Sequence, residues 1–176
     1  MSDMPPSRAR SRRTGSAGLE SGVLGRGPQA QSAGGPDPFE SLAVEHAALL
    51  AEIERTTAIH GRHRPIRRGT IRRLAQVAAR HMRREERALY PVCERLFGPT
   101  GAVSVMRGEH ASIARAFAAL AAAPDKSLGQ ELAALAGLLE VHFTREERVL
   151  FPIVGALLTG TRADRLARDL QMRSDR

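Results

Sequence analysis

The chain of 176 residues carries 27 Lys and Arg against 19 Asp and Glu, a net charge of +8, with only 3% aromatic residues and no tryptophan. Scarce aromatics beside abundant Ala and Leu argue against a sheet and for helices. No apolar run approaches the ~20 residues of a membrane span. No apolar segment follows the N-terminal arginines as it would in a secretory signal, and a lone cysteine, Cys93, excludes an internal disulfide and suits a reducing compartment, so the expected location is cytoplasmic.

Residues 1–37 are rich in Ser, Gly, Pro and Arg and nearly free of large apolar side chains. They cannot bury enough surface to offset the entropy of ordering, so they read as a disordered basic tail. Its arginines (Arg8, Arg10, Arg12, Arg13, Arg26) read first as a solubilising tail, with contact to nucleic acid or other anionic surfaces as the alternative.

From Pro38 the pattern is helical. A first helix over about 38–60 places Phe39, Leu42, His46, Leu49, Leu50 and Ile53 on one stripe. An Arg-rich connection with Pro65 separates it from a second helix, about 69–97, whose face carries Ile71, Leu74, Ala78, His81, Glu85, Leu89, Val92 and Leu96. After the turn signal Gly98-Pro99-Thr100-Gly101, a third helix over 102–122 aligns Val103, Met106, His110, Ile113, Phe117 and Leu120. The fourth, about 127–158, aligns Leu128, Leu132, Leu135, Leu139, His142, Glu146, Val149 and Ile153. Pro91 and Pro152 predict a kink or a helix end one to two turns beyond the His-Glu pairs. Four long segments with short connections predict an all-α, antiparallel up-down-up-down four-helix bundle over residues 38–160, with a short helix or tail over 161–176.

Two halves of this pattern repeat. HMRREERALYP at 81–91 and HFTREERVLFP at 142–152 are identical at seven of eleven positions, and Glu-His-Ala occurs upstream of each, at Glu45-His46 and Glu109-His110. Counting ~1.5 Å per residue from the first and third connections puts His46 with His81, and His110 with His142, about 20 Å from the bundle end. The second connection fits this depth less well. The i, i+4 spacing stacks each histidine over its glutamate on one helix face. Burying two carboxylates among four imidazoles, with no Lys or Arg turned inward, calls for a cation. Nitrogen and carboxylate donors without thiolate suit iron, manganese or zinc, and six converging groups exceed what one zinc requires. The predicted metal ligands are His46, His81, Glu85, His110, His142 and Glu146.

With these residues the chain resembles the hemerythrin-like family, also called the HHE cation-binding domain, in its H-HxxxE-H-HxxxE arrangement over about residues 38–158. The resemblance implies a non-haem di-iron centre with an oxo or hydroxo bridge, the four histidines as terminal ligands and Glu85 and Glu146 bridging the irons. Ferritin-like di-iron bundles use Glu-x-x-His instead, an order this chain reverses. Oxygen-carrying hemerythrins have five histidines, but Met106 and Ala114 stand one turn either side of His110. The resemblance therefore implies reaction with, or sensing of, oxygen, peroxide or nitric oxide, including peroxide decomposition, more than reversible oxygen carriage.

Other residues read more plainly. Glu86 and Glu147 point about 100° away from the bridging positions and are expected to pair with arginines. Glu45 and Glu109 are candidates either to accept a proton from a ligand imidazole or to stand at the surface. Tyr90 and Cys93 match Phe151 and Val154 in the repeat and read as packing, and His60 and His63 as solvated. Between Arg55 and Arg87 stand eleven arginines and two acids, a solvated face whose alternative role is contact with nucleic acid.

Overall fold

The structure is a computed structural model that describes residues 37–60, 65–98 and 101–172. The tail reading, apart from Asp37, and the readings of His63 and of the His60 side chain lie outside the described residues. Among the described residues there is no strand, and no helix is long and apolar enough to cross a membrane.

Helix α1 spans Glu40–His60, and Asp37 begins it by accepting a hydrogen bond from the Phe39 N–H at 2.9 Å. Helix α2, Arg68–Arg84, runs through a π turn at Glu85–Leu89 into α3, Tyr90–Phe97. Gly98 and Gly101, at φ 85° and 84°, turn the chain into α4, Ala102–Ala122. Helix α5, Leu128–Arg145, passes through a second π turn at Glu146–Leu150 into α6, Phe151–Leu157, and α7 follows at Thr161–Met172. Helix α1 packs on α2 and α5, and α4 packs on the same two, which closes the four-membered bundle. At one end the Arg68 guanidinium donates to the carbonyls of Ala121 and Ala123 at 3.1 and 2.7 Å, capping α4 with a cation where its free carbonyls concentrate negative charge.

The prolines act differently from expectation. Neither helix ends at its proline. Instead each is preceded by a widened turn in which the N–H of Tyr90 bonds to the Glu85 carbonyl and that of Phe151 to the Glu146 carbonyl. Such i→i+5 turns relieve the crowding that a proline ring imposes on the preceding turn, and they begin at the glutamates themselves.

The wider turn also rotates everything after it. Val149 and Ile153, expected inside, are about half exposed, while Leu150 and Val154 are buried in their place. In the first half Leu89 and Cys93 are fully buried, while Val92 and Leu96 lie at the margin.

The core falls into two apolar clusters. One, around Ile53, Leu74, Ile113, Leu120, Leu132 and Leu139, fills the bundle toward the α1–α2 connection. The other joins Leu42, Leu89, Met106, Leu150 and Val154 to Leu166 and Leu170 of α7. In each of the four helices the site histidine stands between residues of the two clusters, so the polar groups are closed off by apolar layers above and below.

Candidate metal centre

All six predicted ligands converge. His46, His81, Glu85, His110, His142 and Glu146 are each at most 4% exposed. Their donor atoms form two sets, His46, His81, Glu85 and Glu146, and His110, His142, Glu85 and Glu146, with the atoms of each set within 4.8 Å of one another. Both glutamates belong to both sets. His81 Nε2 lies 2.9 Å from Glu85 Oε1, His110 Nε2 3.3 Å from Glu85 Oε2, and Glu146 Oε2 is 3.4 Å from His46 Nε2 and 3.5 Å from His142 Nε2.

The donor set is short of protons. Each of the four site histidines has a carboxylate on its outer nitrogen: His46 Nδ1 meets Glu147 at 2.7 Å, His81 Nδ1 meets Glu45 at 2.8 Å, His110 Nδ1 meets Glu86 at 2.8 Å and His142 Nδ1 meets Glu109 at 3.0 Å. An ionised carboxylate only accepts, so each Nδ1 donates and a neutral ring turns a bare Nε2 lone pair inward. Those lone pairs face each other, His46 to His81 at 2.9 Å and His110 to His142 at 3.1 Å. Both Glu85 oxygens and Glu146 Oε2 are buried without a hydrogen-bond donor. Lone pairs crowded at such distances repel unless a cation stands among them. The residues present fit a metal.

Protonation in the metal-free site points the same way. Burial would push His81 down, but the charges of Glu85 and Glu45 outweigh it and hold the imidazole up at about 9. Burial pushes His142 down to about 3, with Glu85 opposing and the other imidazoles assisting. Burial and the Glu85 charge keep Glu146 well above the usual carboxylate range. Burial would raise Glu85 too, yet His81, His110 and His46 around it hold it well below that range. A proton on His81 thus takes the part that a cation would fill.

The outer carboxylates form a closed circuit. Glu45 of α1 holds His81, Glu86 of the first π turn holds His110, Glu109 of α4 holds His142, and Glu147 of the second π turn holds His46. Glu45 and Glu109 thus take the first of the two roles expected of them. Arg84 and Arg145 grip them in turn. Glu86 and Glu147 correct the sequence reading, because they pair with the His110 and His46 imidazoles and with no arginine among the described residues. Arg84 is a second correction: it is buried, although it is turned to Glu45 and away from the two metal sets.

Tyr90 is a third correction. Its buried hydroxyl lies 2.8 Å from His110 Nε2 and donates to Glu146 Oε1 at 3.3 Å. At the matching place in the other half Phe151 stacks 6.0 Å from His46, and Phe143 lies flat on the same ring at 3.8 Å. One set therefore faces a phenol and the other an apolar wall. The repeated Glu beside each ligand was visible as a signal in the sequence, whereas Phe143 had none. Cys93 is buried as expected, and burial pushes its thiol up to about 12.

Comparison with curated proteins and with solved structures gives no significant match. The family model of the hemerythrin HHE cation binding domain matches residues 37–154, and a further match spans 101–169. Four helices that enclose paired histidines and shared glutamates, matched along most of the chain, make this protein a member of the hemerythrin HHE cation-binding domain family.

Proposed function

We propose that the chain holds two iron ions, one in each four-donor set, with Glu85 and Glu146 shared between them, and that the pair binds or reacts with oxygen, peroxide or nitric oxide. The observation that carries this reading is the proton-poor donor set: four inward Nε2 atoms around two buried carboxylates, of which both Glu85 oxygens and Glu146 Oε2 find no hydrogen-bond donor. Bound iron supplies redox chemistry and coordination positions for a small ligand. The protein residues do the rest. Four outer carboxylates fix the imidazole tautomers and aim Nε2 inward. Phe143 and Phe151 keep water from the His46 side, and the Tyr90 hydroxyl offers a hydrogen bond or a proton on the His110 side. Among the described residues no fifth imidazole stands beside His110, where Met106 is buried in the core and Ala114 is exposed, which favours turnover or sensing over reversible carriage. The single cysteine, which suits a reducing compartment, supports a cytoplasmic setting for this function.

Elemental analysis of purified protein should give two irons per chain together with a near-ultraviolet absorption band that shifts on adding peroxide or nitric oxide. A fully helical protein that takes up no iron on anaerobic loading would overturn the proposal.

A second reading is an iron-dependent module that contacts nucleic acid. It is favoured by Arg72, Arg73, Arg80 and Arg83 of α2, which are exposed and form no ion pair among the described residues. Salt-dependent DNA binding that changes with iron state would support it, and no binding at low salt would remove it.

A further inference from the structure

Helix α7 lies outside the four-helix ring and packs on the π turn that carries Glu85. Between them is a cavity of about 730 Å³, within the size range of small-molecule sites. Arg87, Arg95, Arg162 and Arg165 line it, opposed by one acid, Asp169. All four arginines are exposed, and none forms an ion pair among the described residues. Between them the cavity wall is apolar, built of Pro91, Val92, Leu96 and Leu166. Four guanidinium groups held near one another repel, so a helix that merely covered the bundle end would be better served by mixed charges. Guanidinium forks match phosphate oxygens in pairs, and the apolar wall between them matches a hydrocarbon body. The first 36 residues of the chain carry five arginines against Asp3 and Glu20, so they do not supply the complementary charge.

We propose that this cavity is a binding site for an amphipathic phosphate monoester. The four arginines hold the head group, and Pro91, Val92, Leu96 and Leu166 take the apolar body. Its occupant is a single free molecule, and the site stands independently of what the metal centre does.

The test is calorimetric titration of the full, metal-loaded chain with monododecyl phosphate below its micellar concentration, in physiological salt. One molecule should bind per chain. Inorganic phosphate should bind at least ~100-fold more weakly, since each buried methylene contributes a factor of about four. Arg162→Glu with Arg165→Glu should weaken dodecyl phosphate binding by more than about tenfold, because two charge-assisted contacts become repulsive. Arg95→Glu alone should weaken it in the same direction. The exposed pair Arg67→Glu with Arg115→Glu, which makes the same change in net charge away from the cavity, should leave binding unchanged. Helicity measured on every variant separates loss of binding from loss of fold. Equal weakening by both double variants would overturn the proposal, as would inorganic phosphate binding as tightly as the alkyl ester. Association only with phosphatidylglycerol vesicles, and none with the monomeric ester, would overturn it as well.

Discussion

The carboxylate circuit around the metal centre predicts that two chemically identical truncations weaken metal binding alike but differ in what they cost in stability. Glu45 accepts from His81 Nδ1 at 2.8 Å and from both terminal nitrogens of Arg84, which is only 5% exposed. Glu45→Ala therefore strands a buried guanidinium. Removing one partner of a buried ion pair costs about 3–5 kcal/mol, and because Glu45 itself is one-third exposed, water entering its place lowers this to about 2–3 kcal/mol. At about 2–4 °C per kcal/mol for a chain of this size, the melting temperature should fall by about 4–12 °C. Glu147 has a side chain that is 42% exposed, and its one partner at the site is His46 Nδ1 at 2.7 Å. Water can replace it there, so Glu147→Ala should cost no more than about 1 kcal/mol in stability. Both variants release the orientation of a ligand imidazole, and each should lose about 10–100-fold in metal affinity. The assay pairs thermal unfolding of the chelator-stripped proteins, followed by helical circular dichroism, with metal competition against a chelator of known affinity. Equal melting temperatures for the two variants, or an undiminished metal affinity in either, would show that the circuit does not work as described.

Other expectations follow from the same geometry. Tyr90→Phe keeps the ring and should cost under about 1.5 kcal/mol in stability. It should nevertheless alter the affinity of the iron-loaded protein for nitric oxide or azide; unchanged spectra and affinities would remove the hydroxyl from the chemistry. Leu150→Ala should cost about 2–5 kcal/mol by denaturant unfolding, against under about 0.5 for its exposed neighbour Val149→Ala, and the reverse order would contradict the register set by the π turn. Because His81 in the metal-free site keeps its proton up to about 9, incoming metal must displace it, so apparent affinity should rise by about tenfold per pH unit between 6.5 and 9. The sign is fixed by competition, since a raised proton affinity weakens metal binding at every pH below it. A plateau above pH 7 would show that His81 does not hold its proton up to about 9 before metal binds. Cys93, buried and with its thiol pushed up to about 12, should react with a thiol reagent at pH 8 only after unfolding, and prompt labelling of the native protein would contradict its placement.

The six site residues were legible because two period-dependent signals coincided. Apolar residues at steps of three and four marked the inner faces, and four histidines and two glutamates interrupted those faces at matched places in a repeat. Helix α4 shows the pattern at its clearest: all six residues expected on its inner face are buried. Where the α period held, the sequence sufficed.

It stopped sufficing at Glu85 and Glu146. Five residues of α-helix turn a side chain about 140° from its starting direction, which would send Tyr90 away from Glu85. The π turn holds an extra residue, returns position i+5 toward the same face, and brings the Tyr90 hydroxyl to His110 and Glu146. The same shift exchanged Val149 for Leu150 and Ile153 for Val154. Proline announced a distortion in the sequence but not its form or its position upstream of the ring.

The sequence by itself determined the helices, the repeat and the six residues that meet, because apolar patterning and its period are properties of a single segment. The tertiary structure alone decided which carboxylate holds which imidazole, that one set faces a phenol and the other a phenylalanine wall, and that α7 places two arginines opposite Arg87 and Arg95. Those pairings join helices distant in sequence, and no local pattern encodes a partner supplied by another helix.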